Sequence, residues 1–198
     1  MRLIVVSTRL PQTVVRKDEE LTLGRSAGGV ATGVSDLIGS EAADRGSRHF
    51  RRDFPAEHLW VGWPGGVVLD GERLKLEKLL TPRRLVPVYL SAKEEELFYD
   101  GFSNRTVWPL FHLFPEMTRV EHQLFKGYEE VNRLFAAVVS AHYQPGDLIW
   151  VHDYHLMLLP ALLRQLLPNS LIGYFHHIPF PGCSLFYSSC CYRTCHSL

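Results

Sequence analysis

The sequence predicts an α/β protein, a mostly parallel sheet with helices on both faces. Three observations carry that expectation. Short unbroken apolar runs stand at Leu3-Ile4-Val5-Val6, Leu148-Ile149-Trp150-Val151 and Leu171–Phe175, the pattern of strands buried on two sides. Apolar residues between them recur at spacings of three and four, as in helices packed on a sheet. Strands that alternate with helices imply parallel pairing, because each crossover returns the chain to the same end of the sheet.

The elements follow in order. Residues 3–6 form a first buried strand ending in Ser7-Thr8-Arg9, and residues 11–25 are polar and mixed. Ser26-Ala27-Gly28-Gly29 opens an apolar-periodic segment to residue 38, read as a helix with glycines at its start. Residues 40–57 are charged and read as a solvated connection, with Arg45, Arg48, Arg51 and Arg52 partly balanced by Glu41, Asp44 and Asp53. Leu59-Trp60-Val61-Gly62-Trp63 reads as a strand running into a Pro64-Gly65-Gly66 turn. Residues 84–90 are a further strand candidate. Ser91 and Glu94 make a capping box for a helix over 93–99. The longest helix is expected over about 121–142, with Leu124, Tyr128, Val131, Phe135, Val138 and His142 as its apolar stripe. Pro145-Gly146-Asp147 turns the chain into the strand at 148–151. A helix over 158–167 accepts Pro160 in its first turn, and a third buried strand covers 171–175 and ends in His176-His177.

Composition sets outer limits. The 198 residues carry 21 Lys+Arg against 21 Asp+Glu, which argues against duplex DNA or an anionic membrane as partner. With 12% aromatic residues and 46% hydrophobic ones, disorder is excluded. No apolar run approaches the ~18 residues of a membrane span, and the opening run is too short for a signal peptide. A cytoplasmic location is therefore expected. Residues 1–182 hold no cysteine, whereas Cys183, Cys190, Cys191 and Cys195 crowd the end. That distribution suits neither a secreted disulfide framework nor a tetrahedral zinc site, since no CxxC pair is present.

In parallel sheets, ligands bind beyond the carboxyl ends of the strands. The residues there are Arg9, then His152-Asp153-Tyr154-His155, then His176-His177. Arg9 is a candidate phosphate ligand because a guanidinium grips phosphate bidentately; a loop ion pair is the alternative. Gly28-Gly29 at a helix start offers bare N–H groups and a positive dipole end, a seat for phosphate, or else a simple Gly-rich turn. Asp153 suits a sugar hydroxyl or acid/base work, and His177 a hydrogen bond to a sugar oxygen. Either residue is as well explained as a satisfied partner at a strand end. Trp63, Tyr99 and Trp108 are candidate sugar-stacking walls or core aromatics. A metal site from His152, His155, His176 and His177 is disfavoured by its spacing.

These motifs coincide with a known pattern. VVSTRLP (5–11), SAGGVATG (26–33), LWVGWPG (59–65), FSNRTVWPLFH (102–112), GYEEVNRLFA (127–136), GDLIWVHDYHLMLLPALLR (146–164) and IGYFHHIPFP (172–181) fall in order along the chain. By these segments the chain resembles the trehalose-6-phosphate synthase family, glycosyltransferase family 20, retaining enzymes of the two-domain GT-B type. The resemblance implies a Rossmann-like N-terminal domain that binds the acceptor. It implies transfer of glucose from UDP-glucose to glucose 6-phosphate, with retention and without a metal. By motif position, Arg9 binds the acceptor phosphate. Trp63, Tyr99 and Trp108 wall the acceptor, Tyr99 also reaching the phosphate, and Asp153 holds acceptor hydroxyls. Gly28 and Gly29 meet the donor diphosphate, and His177 touches the donor glucose. Asp153 and His177 are the catalytic candidates.

There are departures from the pattern. Thr8 stands where the family usually has Asn, Leu113 where an aromatic is common, and residues 188–198 leave the pattern. The expectation is an acceptor domain over 1–181, incomplete, and a divergent Cys-rich tail over 182–198 from a frameshift, alternative splice or mispredicted gene end. The donor domain is then absent, and the chain by itself has little or no transferase activity. The alternatives are a non-catalytic sugar-phosphate-binding or regulatory homologue, and a related synthase with another acceptor such as glycerol 3-phosphate. Expected partners are a sugar phosphate and a nucleotide sugar, with association with full-length homologous subunits as a further reading.

Overall fold

The computed structural model describes residues 1–17, 20–26, 29, 33–34 and 57–182. Gly28, most of the expected helix over 26–38, the connection from 40 to 56 and the Cys-rich tail from 183 lie outside these residues. Of the 26–38 segment, Gly29, Gly33 and Val34 are described and are helical.

Five strands form one parallel sheet: β1 (Leu3–Arg9), β4 (His58–Trp63), β5 (Leu85–Pro87), β6 (Leu148–His152) and β7 (Leu171–Phe175), in the order β5-β4-β1-β6-β7. Strand β1 is central and buried on both faces, which is why its sequence is an unbroken apolar run. Its side chains alternate between two cores. Ile4 and Val6 join Val61, Trp63, Ile149 and Val151 on one face, and Leu3 and Val5 join Trp60 on the other.

The helices divide accordingly. Helix α1 (Asp70–Leu80) crosses between β4 and β5 and covers the Leu3 face through Leu76 and Leu80. A continuous helical stretch over 92–111, α2, and helix α3 (His122–His142) link β5 to β6 on the opposite face. Helix α4 (Leu159–Leu166), between β6 and β7, packs on that same face. The connections thus run outward from β1 in one direction, then return and run outward in the other. When the direction reverses, the right-handed crossover moves to the opposite face, so the sheet is covered on both sides.

Several elements depart from the sequence reading. Two strands, β2 (Gln12–Lys17) and β3 (Glu20–Arg25), pair antiparallel, and their mixed polar sequence hid the alternation. Helix α1 was not expected; it buries only Leu76 and Leu80, too narrow a stripe to read as periodic. The strand over 84–90 shrinks to Leu85–Pro87, and Arg84 before it is left-handed, with φ 57°. Strand β7 was expected to be buried. It is an edge strand paired only with β6 among the described residues, and Leu171, Tyr174 and Phe175 are exposed. On α3 the buried seat one turn beyond Phe135 is taken by Val139. Val138 is half-buried and His142 is exposed, because 3.6 residues per turn carries the stripe past them.

The helix expected over 93–99 continues to residue 111. The Ser91–Glu94 capping box is present, the Ser91 hydroxyl accepting from the Glu94 N–H at 3.2 Å. From Glu95 to Val107 the winding is π-helical, and the Trp108 N–H donates to the Ser103 carbonyl five residues back. Its buried positions are Phe98, Gly101-Phe102-Ser103 and Thr106-Val107, centred four to five residues apart. A search at the α-helical period stops at Tyr99 for that reason.

Candidate functional site

The strand order reverses at β1 and β6, so a crevice opens beyond their carboxyl ends. Arg9 closes β1, and His152-Asp153 closes β6. The last turn of β1 is irregular: Val6 pairs with Val61, but the next pairing is Arg9 with Trp63. Gly62 lies opposite this bulge. A Cβ there would stand 2.9 Å from the Arg9 carbonyl carbon, the Leu10 nitrogen and the Ser7 oxygen, all backbone. Only a residue without a side chain lets the bulge form and turn Arg9 out of the sheet. Ser7 braces the same turn, its hydroxyl donating to the Arg9 carbonyl at 2.7 Å and accepting from Trp60 Nε1 at 2.7 Å.

The Arg9 guanidinium lies between two rings, 4.5 Å from the Trp63 centroid and 4.8 Å from that of Tyr99. Both are cation–π contacts. Trp63 is buried and donates Nε1 to the Gly66 carbonyl at 3.2 Å. Tyr99 comes from the π-helical part of α2, and its ring stacks on His155 at 5.4 Å, with 12° between the planes. His155 stacks in turn on Tyr154 at 3.9 Å. Among the described residues Arg9 forms no ion pair within 4.0 Å, and its Nε is buried without a partner. A fixed cation at the mouth of the crevice, with no carboxylate on it, suits an incoming anion. Glu95 faces the same region. Burial and the Asp100 charge raise its carboxyl, and Arg9 opposes that shift.

Asp153 is held in a strained backbone state, φ 74° and ψ 167°, a region that side-chain-bearing residues seldom adopt. Its surroundings hold it there. Its N–H donates to the Phe175 carbonyl at 2.8 Å, and its Oδ1 accepts from the Tyr154 N–H at 2.9 Å and the His177 N–H at 3.4 Å. The carboxylate thereby ties the end of β6 to the loop after β7.

Two histidines at the site are kept neutral. Burial, then the Arg9 charge, pushes His155 down to about 3, and burial, then His177, pushes His152 down to about 4. Burial likewise lowers His176, whose Nδ1 meets the Tyr174 hydroxyl at 2.8 Å. His152 Nδ1 and His177 Nε2 are 3.0 Å apart. Among the described residues no three His, Cys, Asp or Glu side chains gather as a metal ion would require.

Of the residues expected at a site, Arg9, Trp63 and Tyr99 form one cluster, and Asp153 and His177 are joined by a hydrogen bond. Trp108 is 42% exposed and stacks instead on His112 at 4.1 Å. Gly29 is exposed, and Gly28 lies outside the described residues. The sequence reading assigned no role to Gly62 or to Asn104, whose Oδ1 accepts from the Tyr154 hydroxyl at 3.1 Å, and it placed His155 at the strand end without seeing its stacking on Tyr99. A glycine inside an apolar strand is a signal for Gly62; nothing local marks Asn104. No helix among the described residues is long and apolar enough to cross a membrane.

Both the sequence and the fold have known relatives. The chain is 44% identical over 185 residues to a bifunctional trehalose-6-phosphate synthase/phosphatase of Thermoproteus tenax, covering 93% of this chain and 24% of that protein. It is 39% identical over 191 residues to a UDP-forming alpha,alpha-trehalose-phosphate synthase of Aspergillus niger, covering 93% of this chain and 34% of that protein. The crystal structure of a UDP-forming alpha,alpha-trehalose-phosphate synthase from Burkholderia xenovorans in complex with glucose-6-phosphate superimposes with a TM-score of 0.70 at 27% identity. It covers 98% of this chain and 37% of that one. The chain thus spans about a quarter to a third of the curated relatives it matches. Its doubly wound sheet is the Rossmann-like part of a GT-B glycosyltransferase. The family model described as glycosyltransferase family 20 matches residues 1–192, and with both sequence and fold in agreement the chain belongs to that family.

Proposed function

We propose that this chain forms the acceptor side of a UDP-glucose-dependent trehalose-phosphate synthase. The observation that carries the reading is Arg9, a cation clamped between Trp63 and Tyr99 with no ion-pair partner within 4.0 Å among the described residues. Arg9, with Tyr99, takes the phosphate of glucose 6-phosphate. The Asp153 carboxylate orients the sugar hydroxyls, and Trp108 lines the outer wall. Gly28 and Gly29 present backbone N–H groups to the donor diphosphate, and His177 contacts the donor glucose. The acceptor's anomeric hydroxyl attacks the glucosyl carbon on the face that UDP leaves. The bond from that carbon to the diphosphate oxygen breaks, and the hydroxyl proton passes to the departing diphosphate. The proposed transfer uses no metal. What the chain contributes is positioning and charge stabilisation.

Calorimetric titration of the 198-residue chain tests this. Glucose 6-phosphate is expected to bind, and glucose to bind at least ~10-fold more weakly, because a charge-assisted contact contributes about 1.5–3 kcal/mol. Arg9→Ala is expected to bring the two affinities together. Equal binding of glucose and glucose 6-phosphate to the unmutated chain overturns the reading. Since the chain spans 24% to 37% of its relatives, it is expected to bind acceptor without measurable transfer when assayed alone.

A further inference from the structure

His152 has no part in the scheme above, yet it is buried in the crevice and in contact with His177. Its ring is 1% exposed, and its Nδ1 lies 3.0 Å from His177 Nε2. The ring centres are 5.3 Å apart and the planes differ by 24°. That centre distance is the nitrogen–nitrogen distance plus one ring radius at each end. Both nitrogens therefore lie on the line joining the rings, and the rings meet edge to edge in a hydrogen bond.

One proton occupies that line, and its owner follows from the far side of His152. The Nε2 of His152 is buried and has no hydrogen-bond partner among the described residues. Burial keeps the ring neutral, so it carries a single N–H. If that hydrogen were on Nε2, a buried donor would be left unpaired, which native structures avoid more strictly than an idle lone pair. With the hydrogen on Nδ1, it is donated to His177, and only a lone pair is left idle.

We infer that His152 is a positioning residue that sets the tautomer of His177, holding Nε2 as acceptor and placing His177's own proton on Nδ1. His177, whose ring is exposed, is thereby a hydrogen-bond donor at Nδ1. The use of that donor toward a sugar oxygen rests on the proposed function; the tautomer does not.

Long-range ¹H–¹⁵N spectra of the labelled 198-residue chain at a pH of about 8, above the ordinary histidine range, read the tautomer directly. Single substitutions at His152 and His177 assign the resonances. The expected result is a protonated Nδ1 and an unprotonated Nε2 on both rings. His152→Asn keeps an N–H close to the Nδ1 position and is expected to preserve the His177 pattern. His152→Leu removes the donor and is expected to shift the His177 Nε2 resonance toward the protonated position. A protonated Nε2 on His177 in the unmutated chain overturns the inference. An unchanged His177 pattern in a folded His152→Leu also overturns it. Titrating UDP-glucose into the same sample separates the two claims. No perturbation of His177 would refute its donor contact while leaving the tautomer assignment intact.

Discussion

At the scale of single residues, the crevice depends on one missing side chain. Gly62 allows the β1 bulge that turns Arg9 toward Trp63 and Tyr99, because backbone atoms of Ser7, Arg9 and Leu10 fill the space of its absent Cβ. Gly62→Ala is expected to destabilise the fold by about 1–3 kcal/mol, the range for overpacking a closed interior. It is also expected to weaken glucose 6-phosphate binding, since the displaced atoms belong to Arg9. Gly71, in the first turn of α1, has nothing within 4 Å of a built Cβ. There Gly71→Ala is expected to be neutral or slightly stabilising. Chemical denaturation of both variants decides the matter; equal midpoints would show that Gly62 is not a packing constraint.

At the scale of elements, α3 is more than a cover for the sheet. Its buried face carries two polar side chains that fix the loop after β6. The Tyr128 hydroxyl donates to the Tyr154 carbonyl at 2.7 Å and accepts from the Met157 N–H at 3.0 Å. Asn132 Nδ2 donates to the Tyr128 and His155 carbonyls at 2.9 and 3.1 Å. Burial pushes the Tyr128 phenol up, so it stays protonated and able to donate. These contacts hold the backbone that presents Asp153, Tyr154 and His155, and so balance the strain at Asp153. Tyr128→Phe removes the hydroxyl that serves the buried Tyr154 carbonyl and the half-buried Met157 N–H, and a loss of about 1–3 kcal/mol is expected. An unfolding midpoint unchanged from the parent would mean that the loop is held by its own packing. Tyr128 was legible in the sequence as an apolar position of the α3 stripe. Its hydroxyl's task was not, because its partners lie 26 and 29 residues further along the chain.

At the scale of the whole molecule, two neutral histidines beneath the crevice make folding sensitive to acid. Above the ordinary histidine value both are unprotonated, folded or unfolded, and contribute no pH dependence. As the pH falls below about 6.5, the unfolded chain takes up protons that native His155 and His152 refuse until about 3 and about 4. The unfolded state then binds more protons, so stability falls with falling pH across that window. Each of the two contributes a slope that approaches ~1.4 kcal/mol per pH unit below the ordinary histidine value. Denaturant unfolding between pH 7 and 5 is expected to show this decline, and His155→Phe to remove about half of it, His152 retaining the rest. A parent whose stability is level over that interval would refute the argument.

The sequence alone determined the parallel sheet, the principal strands and the cluster of polar residues at their ends. These are local properties: buried strands must be apolar on both faces, and whatever follows them must lie at the carboxyl edge. The Arg9, Asp153 and His177 positions were legible for that reason, and for the motifs that contain them. The tertiary structure alone decided which faces stay open and which rings meet. Strand β7 is an apolar run like β1, yet among the described residues it pairs only with β6 and exposes Leu171, Tyr174 and Phe175, because a strand's place in the sheet depends on pairing rather than composition. Tyr99 reaches Arg9 through π-helical winding that a 3.6-residue search does not follow. Burial of His155, its stacking on Tyr99 and the edge-to-edge meeting of His152 with His177 join elements far apart in the chain. Such contacts depend on packing, and no local pattern encodes them.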